Sequence, residues 1–278
     1  MSFSERLLRI ARQQRSWLCV GLDPDLDQIP AALKAGRGMR AMLEFNRQII
    51  DATHDLVCAY KLNSAFYEAL GPQGLEILKE TREHIPGEIP VILDAKRGDI
   101  ANTARKYAQA AFEVYECDAV TVNPYLGFDS IEPFLSYRNH GLFLLCRTSN
   151  PGARDLQDLK CGNQKLFEVV ARKSRDWKAQ SGGEIGLVVG ATYPDELRIV
   201  REIVTEEMFI LVPGVGTQKG DLKKAVCSAA NSQGERAIIS VSRGVLYASN
   251  EEDFAQAARR EAQRIRDEIH RYRKGSAS

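Results

Sequence analysis

No apolar run in this sequence approaches the roughly 18 residues of a membrane-spanning helix. The opening Met1-Ser-Phe-Ser-Glu-Arg-Leu-Leu-Arg-Ile is broken by charge and has no signal-peptide core. An excess of charge of one sign is missing too: 38 Lys plus Arg stand against 37 Asp plus Glu, a net charge of +1. Nucleic acid and anionic membrane surfaces select for a basic excess, so the balance argues against both as partners. The six cysteines (Cys19, Cys58, Cys117, Cys146, Cys161 and Cys227) are scattered, with no C-x-x-C pair. That spacing speaks against a disulfide framework or a structural zinc site and reads as reduced thiols in a cytoplasmic protein. The four histidines (His54, His84, His140 and His270) fall in helix-like or turn-like segments. Histidine acid–base chemistry and histidine-rich metal sites therefore have little support. G-x-S-x-G, Walker and G-x-G-x-x-G patterns do not occur in the right context. There is no internal repeat, low-complexity tract or Pro/Ser linker, so the 278 residues are expected to form one domain, 1–278.

What is present is a regular alternation in an otherwise ordinary globular composition, 44% apolar and 27% charged. Eight short apolar runs occur at 17–23, 58–64, 90–96, 119–125, 141–148, 185–191, 209–215 and 237–244. Between them lie segments such as 42–54, 74–84 and 102–116, whose apolar positions recur every three to four residues. The last helical pattern, about 251–273, carries charges of both signs on the side away from Phe254, Ala257, Ala258, Ala262, Ile265 and Ile269, as a solvated outer face does. Eight strand-then-helix units predict an α/β protein, a parallel sheet closed into a (β/α)8 TIM barrel; a doubly wound open sheet has the same order of elements. Residues 31–40 and 150–162 read as long loops leaving the C-terminal ends of the first and fifth strands, the end at which such a barrel places its active site.

The polar residues that interrupt these runs are the ones that need a reason. The first run ends in Asp23. The second carries Lys61 and Asn63, and the third Asp94 and Lys96, each pair two apart and so on one face of a strand, with Asp99 just beyond. An unpaired buried charge is prohibitive, so these groups are expected to lie close together with alternating sign. After the seventh run, Pro213-Gly-Val-Gly-Thr-Gln218-Lys-Gly-Asp221 offers backbone N–H groups and the Gln218 amide, while Lys219 reads as a surface residue; after the eighth, Ser242-Arg243-Gly244 adds a guanidinium fork and a further N–H. Phosphate sites of α/β barrels lie at those two strand ends.

Asp94-Ala-Lys96-Arg-Gly-Asp99-Ile-Ala-Asn-Thr103 resembles the D-x-K-x-x-D-I-x-x-T signature of the orotidine 5′-phosphate decarboxylase family. Gly21-Leu-Asp-Pro24, Lys61-Leu-Asn63, Ser149-Asn-Pro-Gly152, Pro213-Gly-Val-Gly-Thr-Gln218 and Ser242-Arg243-Gly244 follow in the family's order, over residues 20 to 245. Asn123-Pro-Tyr-Leu-Gly127 and the chain length are similar to the longer bacterial branch. The resemblance implies a homodimeric barrel that converts orotidine 5′-monophosphate to UMP and CO2 without metal or organic cofactor. It implies that Lys96 donates the proton to C6 of the pyrimidine, with Asp94 and Asp99 beside it and Lys61 completing the array. It further implies that Asp99 and Thr103 reach into the neighbouring subunit's site, that Asp23 and Thr103 hold ribose hydroxyls near Asn63, and that Ser149 contacts the pyrimidine. Gln218, Arg243 and the Gly244 N–H would then hold the phosphate.

Two other readings use the same residues. Sugar-phosphate decarboxylases and synthases on related barrels share the D-x-K-x-x-D core but bind Mg2+ through carboxylates, where Lys61 suits a metal-free site instead. A catalytically silent nucleotide-phosphate binder would keep the anion loops without needing a full charge array.

Overall fold

In a computed structural model describing residues 1–215 and 221–274, the eight apolar runs become eight parallel strands. They are β1 (Leu18–Gly21), β2 (Ala59–Asn63), β3 (Val91–Arg97), β4 (Ala119–Val122), β5 (Gly141–Arg147), β6 (Glu184–Val189), β7 (Ile210–Pro213) and β8 (Ala237–Val241). Each pairs with its neighbours in sequence, and β8 pairs with β1, so the sheet closes. Closure, the point that counting strands left open, decides for the barrel over the open sheet. The strands are short and almost wholly buried, as the β-branched runs Ala119-Val-Thr-Val122 and Ala237-Ile-Ile-Ser-Val241 require when helices cover one face and the barrel interior the other. Helices Arg40–Thr53, Gly71–His84, Ala101–Gln109, Leu166–Ser181, Pro194–Val204 and Phe254–Lys274 lie at or near the segments of helical period.

The N-terminal end of the barrel is sealed by a helix that the sequence reading did not single out. Phe3–Gln13 begins in a capping box: the Ser2 hydroxyl accepts the Glu5 N–H at 3.2 Å, and the Glu5 carboxylate accepts the Ser2 N–H at 2.8 Å. It buries Phe3, Leu7, Ile10 and Ala11. The Phe3 ring stands edge-on to Phe143, 5.9 Å between centroids, and lies over Gly141, where a Cβ would come within 2.5 Å of the ring. Arg6 pairs with Asp118, whose other oxygen accepts the Val91 N–H at 2.8 Å. With one end plugged in this way, the opposite rim is where a ligand can enter.

Both predicted long loops contain regular structure. Residues 31–40 include the short helix Ala31–Lys34. The segment after β5 folds into a 3-10 turn (Pro151–Ala153), a helical turn (Arg154–Gln157) and a two-stranded antiparallel hairpin pairing Lys160–Cys161 with Gln164–Lys165. These elements are too short for any hydrophobic period to announce them. None of the six cysteines forms a disulfide; four are buried and Cys161 and Cys227 are exposed. Among the described residues, no helix is long and apolar enough to cross a membrane.

Candidate active site

A cavity of about 660 Å3 opens at the C-terminal rim of the barrel. Its floor is a chain of alternating charges. Lys61 Nζ lies 3.6 Å from Asp23 Oδ2 and 3.1 Å from Asp94 Oδ2, and Lys96 Nζ lies 2.6 Å from Asp94 Oδ1. The register explains the order. Gly21 pairs with Lys61 and Asn63 with Asp94, so Asp23, Asn63 and Asp94 stand in one layer while Lys61 starts one layer deeper. Two residues of strand are about 6.6 Å, and the lysine stem carries its ammonium up between the two carboxylates. Lys61 is consequently 4% exposed, whereas the Lys96 side chain, at the open end, is 48% exposed.

Burial opposes the charge on Lys61, but Asp23 and Asp94 outweigh it and hold the ammonium pKa above its usual value. Burial likewise pushes the Asp94 carboxyl up, and Lys61 and Lys96 together overcome this, leaving it well below the usual carboxylate range. Both groups are therefore charged at neutral pH. Beneath them, burial pushes the Cys19 thiol up to about 12, which keeps it a neutral wall residue.

Strand alternation alone does not aim Lys96. Leu93 pairs with Val120 and Arg97 with Val122, so four steps along β3 face two along β4. Thr121 fills this bulge. Its hydroxyl donates to Asp94 Oδ1 at 2.9 Å and accepts the Lys96 N–H at 2.9 Å. Lys96 itself sits at φ +48°, a left-handed conformation that costs a side-chain-bearing residue about 1–2 kcal/mol. Strain of this kind, at a bulge beside a buried charge pair, re-aims a side chain for use.

The array is braced from the other flank. Asp23 Oδ1 accepts the Asn63 N–H at 3.1 Å, and Asp23 Oδ2 accepts the Ser242 hydroxyl at 2.7 Å. Gly21 makes this seam possible, since a Cβ there would stand 1.9 Å from Ser242 Oγ. Tyr247 closes it further out, its phenolic oxygen accepting the Asp25 N–H at 2.8 Å.

Of the residues singled out from sequence, Asp23, Lys61, Asn63, Asp94, Lys96, Ser149 and Arg243 all line this one cavity. The Asn63 amide oxygen also accepts the Ala65 N–H at 3.3 Å, capping the helix that follows β2. Gly244 lies within the short helix Arg243–Leu246, one residue beyond the lining. Asp99 and Thr103 do not line the cavity: Asp99 accepts the neighbouring Ile100 N–H at 2.8 Å, and Thr103 is exposed on the helix Ala101–Gln109. Gln218 and Lys219 fall outside the described residues. The sequence reading missed Thr121 and Tyr247 and gave Ser242 no role. A lone hydroxyl inside Ala119-Val-Thr-Val122 was the available signal for the first; Tyr247 has none.

Charged side chains from consecutive strands, gathered at the C-terminal rim of a closed parallel barrel around a cavity with an arginine at the end of β8, define an α/β-barrel enzyme for an anionic substrate. Over residues 16–258 the sequence matches the family described as orotidine 5′-phosphate decarboxylase / HUMPS. It is 50% identical to an orotidine 5′-phosphate decarboxylase of Dehalococcoides mccartyi over 278 residues, covering 99% of each chain. It is 49% identical to one of Thermomicrobium roseum, covering 99% of this chain and 97% of that one. Among solved structures, the OMP decarboxylase of Leishmania donovani superposes with a TM-score of 0.86 at 38% identity, covering 99% of this chain and 100% of that one. The chain belongs to the orotidine 5′-phosphate decarboxylase / HUMPS family, and within it sides with the decarboxylases, as a carboxy-lyase.

Proposed function

We propose that this chain decarboxylates orotidine 5′-monophosphate to UMP and CO2 in pyrimidine biosynthesis, without metal or organic cofactor, by means of the Asp23–Lys61–Asp94–Lys96 array. The observation that carries the reading is this unbroken alternation of charge at the cavity floor. Loss of CO2 from C6 leaves an electron pair in the plane of the ring, where π delocalisation helps little, and most decarboxylases supply a cofactor as electron sink. Here a fixed ammonium takes that part. Lys96, held by Asp94, is already positive where the carbanion develops, so little reorganisation accompanies reaction, and the same group then delivers a proton to C6. Asp94 beside the substrate carboxylate would add repulsion that eases as CO2 departs, a smaller contribution than stabilisation of the carbanion.

Lys61 supports this reading over the magnesium-dependent one. Its ammonium stands between Asp23 and Asp94, where a divalent ion would need those carboxylates. Arg243, with Gln218 and the Gly244 N–H, binds the phosphate, whose remote binding energy helps close the site against water. Asp23 and Asn63 face the ribose, and Ser149 the pyrimidine. Asp99 and Thr103, off the rim of their own cavity and next to the exposed Ile100, serve the site of a second copy in a homodimer. The whole chain acts as one barrel domain in the cytoplasm.

The test is to incubate metal-stripped protein with orotidine 5′-monophosphate and to follow UMP and CO2 together. Stoichiometric release of both, unaffected by EDTA, is the expected result. Activity lost on chelation and restored by Mg2+ would favour the sugar-phosphate branch of the fold, and UMP binding without CO2 release would favour a silent binder.

A further inference from the structure

Arg147, the last residue of β5, is a guanidinium with no exposure at all, and it does not line the cavity. Its NH1 donates to Gln157 Oε1 at 3.3 Å, and its NH2 reaches Asp158 at 3.5 Å and Glu196 at 3.9 Å. The guanidinium lies over the Tyr193 ring, 4.0 Å from its centroid. It thereby ties three elements together: the end of β5, the segment carrying Gln157 and Asp158, and the helix Pro194–Val204. An arginine buried this completely, with two long ion pairs, calls for a reason, because apolar packing would fill the same space at less expense in desolvation.

The reason lies one residue further on. Gln157 Oε1 also accepts the Thr148 N–H at 2.9 Å, while Gln157 Nε2 donates to Thr148 Oγ1 at 2.9 Å. The Thr148 hydroxyl in turn donates to Asn150 Oδ1 at 2.7 Å. Thr148, Ser149 and Asn150 all face the cavity, and Gln157 does not. From the opposite side Gly190 donates its N–H to Arg147 O at 2.8 Å and crowds the backbone of Ser149, so that a Cβ at 190 would stand 2.9 Å from Ser149 N.

We propose that Arg147 and Gln157 are positioning residues that hold the Thr148–Asn150 segment at the pyrimidine end of the cavity, and so set discrimination for the base while leaving the phosphate end alone. This rests on the reading that Ser149 faces the pyrimidine. Gln157 clamps both backbone and side chain of Thr148, which fixes where the next residue stands. Arg147 fixes Gln157. A segment free to shift by an ångström loses orientation of a bound ring without losing the fold.

The experiment compares calorimetric binding of UMP with that of ribose 5-phosphate, which lacks the base, for wild-type protein, Gln157→Leu and Gln157→Glu. Gln157→Leu is expected to weaken UMP about 10- to 100-fold, as loss of two to three hydrogen bonds implies. It should leave ribose 5-phosphate within about twofold, with kcat/KM for orotidine 5′-monophosphate falling in parallel with UMP affinity. Gln157→Glu keeps the acceptor for Thr148 N–H and Arg147 and should recover most of the loss. Should Gln157→Leu fail to fold, Thr148→Val removes the hydroxyl at constant shape and carries the same comparison. Equal weakening of both ligands, or no weakening of either, overturns the proposal, as does Gln157→Glu as impaired as Gln157→Leu. Wild-type protein that releases no CO2 from orotidine 5′-monophosphate would instead overturn the functional reading beneath it.

Discussion

Replacing Lys61 by methionine keeps the volume of the side chain and removes its charge. At 3.1 and 3.6 Å the two attractions to Asp94 and Asp23 are each worth about 5 kcal/mol at an effective dielectric constant near 20, before desolvation is subtracted. Removing one partner of a buried ionic cluster leaves the others uncompensated, which typically costs about 3–5 kcal/mol. Lys61→Met is therefore expected to lower the melting temperature by about 10 °C and to shift the denaturant midpoint accordingly. The pH dependence follows from the two shifts. The Lys61 pKa is raised on folding, so its contribution is complete below the unfolded lysine pKa and is lost only as pH rises through the folded value. The Asp94 pKa is depressed, so its contribution is complete above the unfolded carboxyl pKa near 4 and is lost as pH falls through the folded value. The gap between wild type and variant should be level between pH 6 and 8 and should narrow from pH 4 downward. Urea melts across that range measure it. A gap below about 1 kcal/mol at pH 7, or one that fails to narrow in acid, would refute the ionic account of the floor.

Three further outcomes are expected. Arg243→Ala should raise KM about 100-fold or more with a smaller fall in kcat, read from steady-state kinetics, because it removes binding rather than the reacting group. Gly21→Ala should destabilise the protein by about 1–3 kcal/mol and depress kcat, since its Cβ would displace the Ser242 hydroxyl from Asp23; thermal melts and turnover check the two parts. Co-expressing Lys96→Ala with Asp99→Ala, each inactive alone, should restore about one quarter of wild-type activity if Asp99 acts across a two-fold interface, because half the dimers are mixed and each holds one intact site; no recovery would place Asp99 elsewhere.

Much of this was legible from residue spacing. The eight apolar runs, each flanked by segments of helical period, foretold the barrel, and the polar residues breaking the first three runs foretold the floor of its cavity. Lys61 and Asp94 could be read because a charge inside an apolar run has few places to go. Other features had no local signature. The bulge that aims Lys96 depends on how β3 pairs with β4, a relation between strands far apart in sequence, so Thr121 looked like one more strand residue. The hairpin pairs the exposed Lys160–Cys161 with the half-buried Gln164–Lys165, two residues a strand, too short for any alternation to be detected. Burial of Arg147 was equally hidden, because its neighbours Gln157, Asp158 and Tyr193 converge on it only in three dimensions. Closure of the sheet was a matter of β8 finding β1, which no count of strands decides.

The central claim is that one positioned ammonium, rather than a metal or cofactor, both stabilises the electron pair at C6 and protonates it. Turnover of orotidine 5′-monophosphate by purified, folded Lys96→Ala protein in metal-free buffer tests this most directly. A fall in kcat well beyond the 100- to 1,000-fold typical of losing one preorganised donor, with UMP still bound, is the predicted result. Turnover within about tenfold of wild type would contradict it.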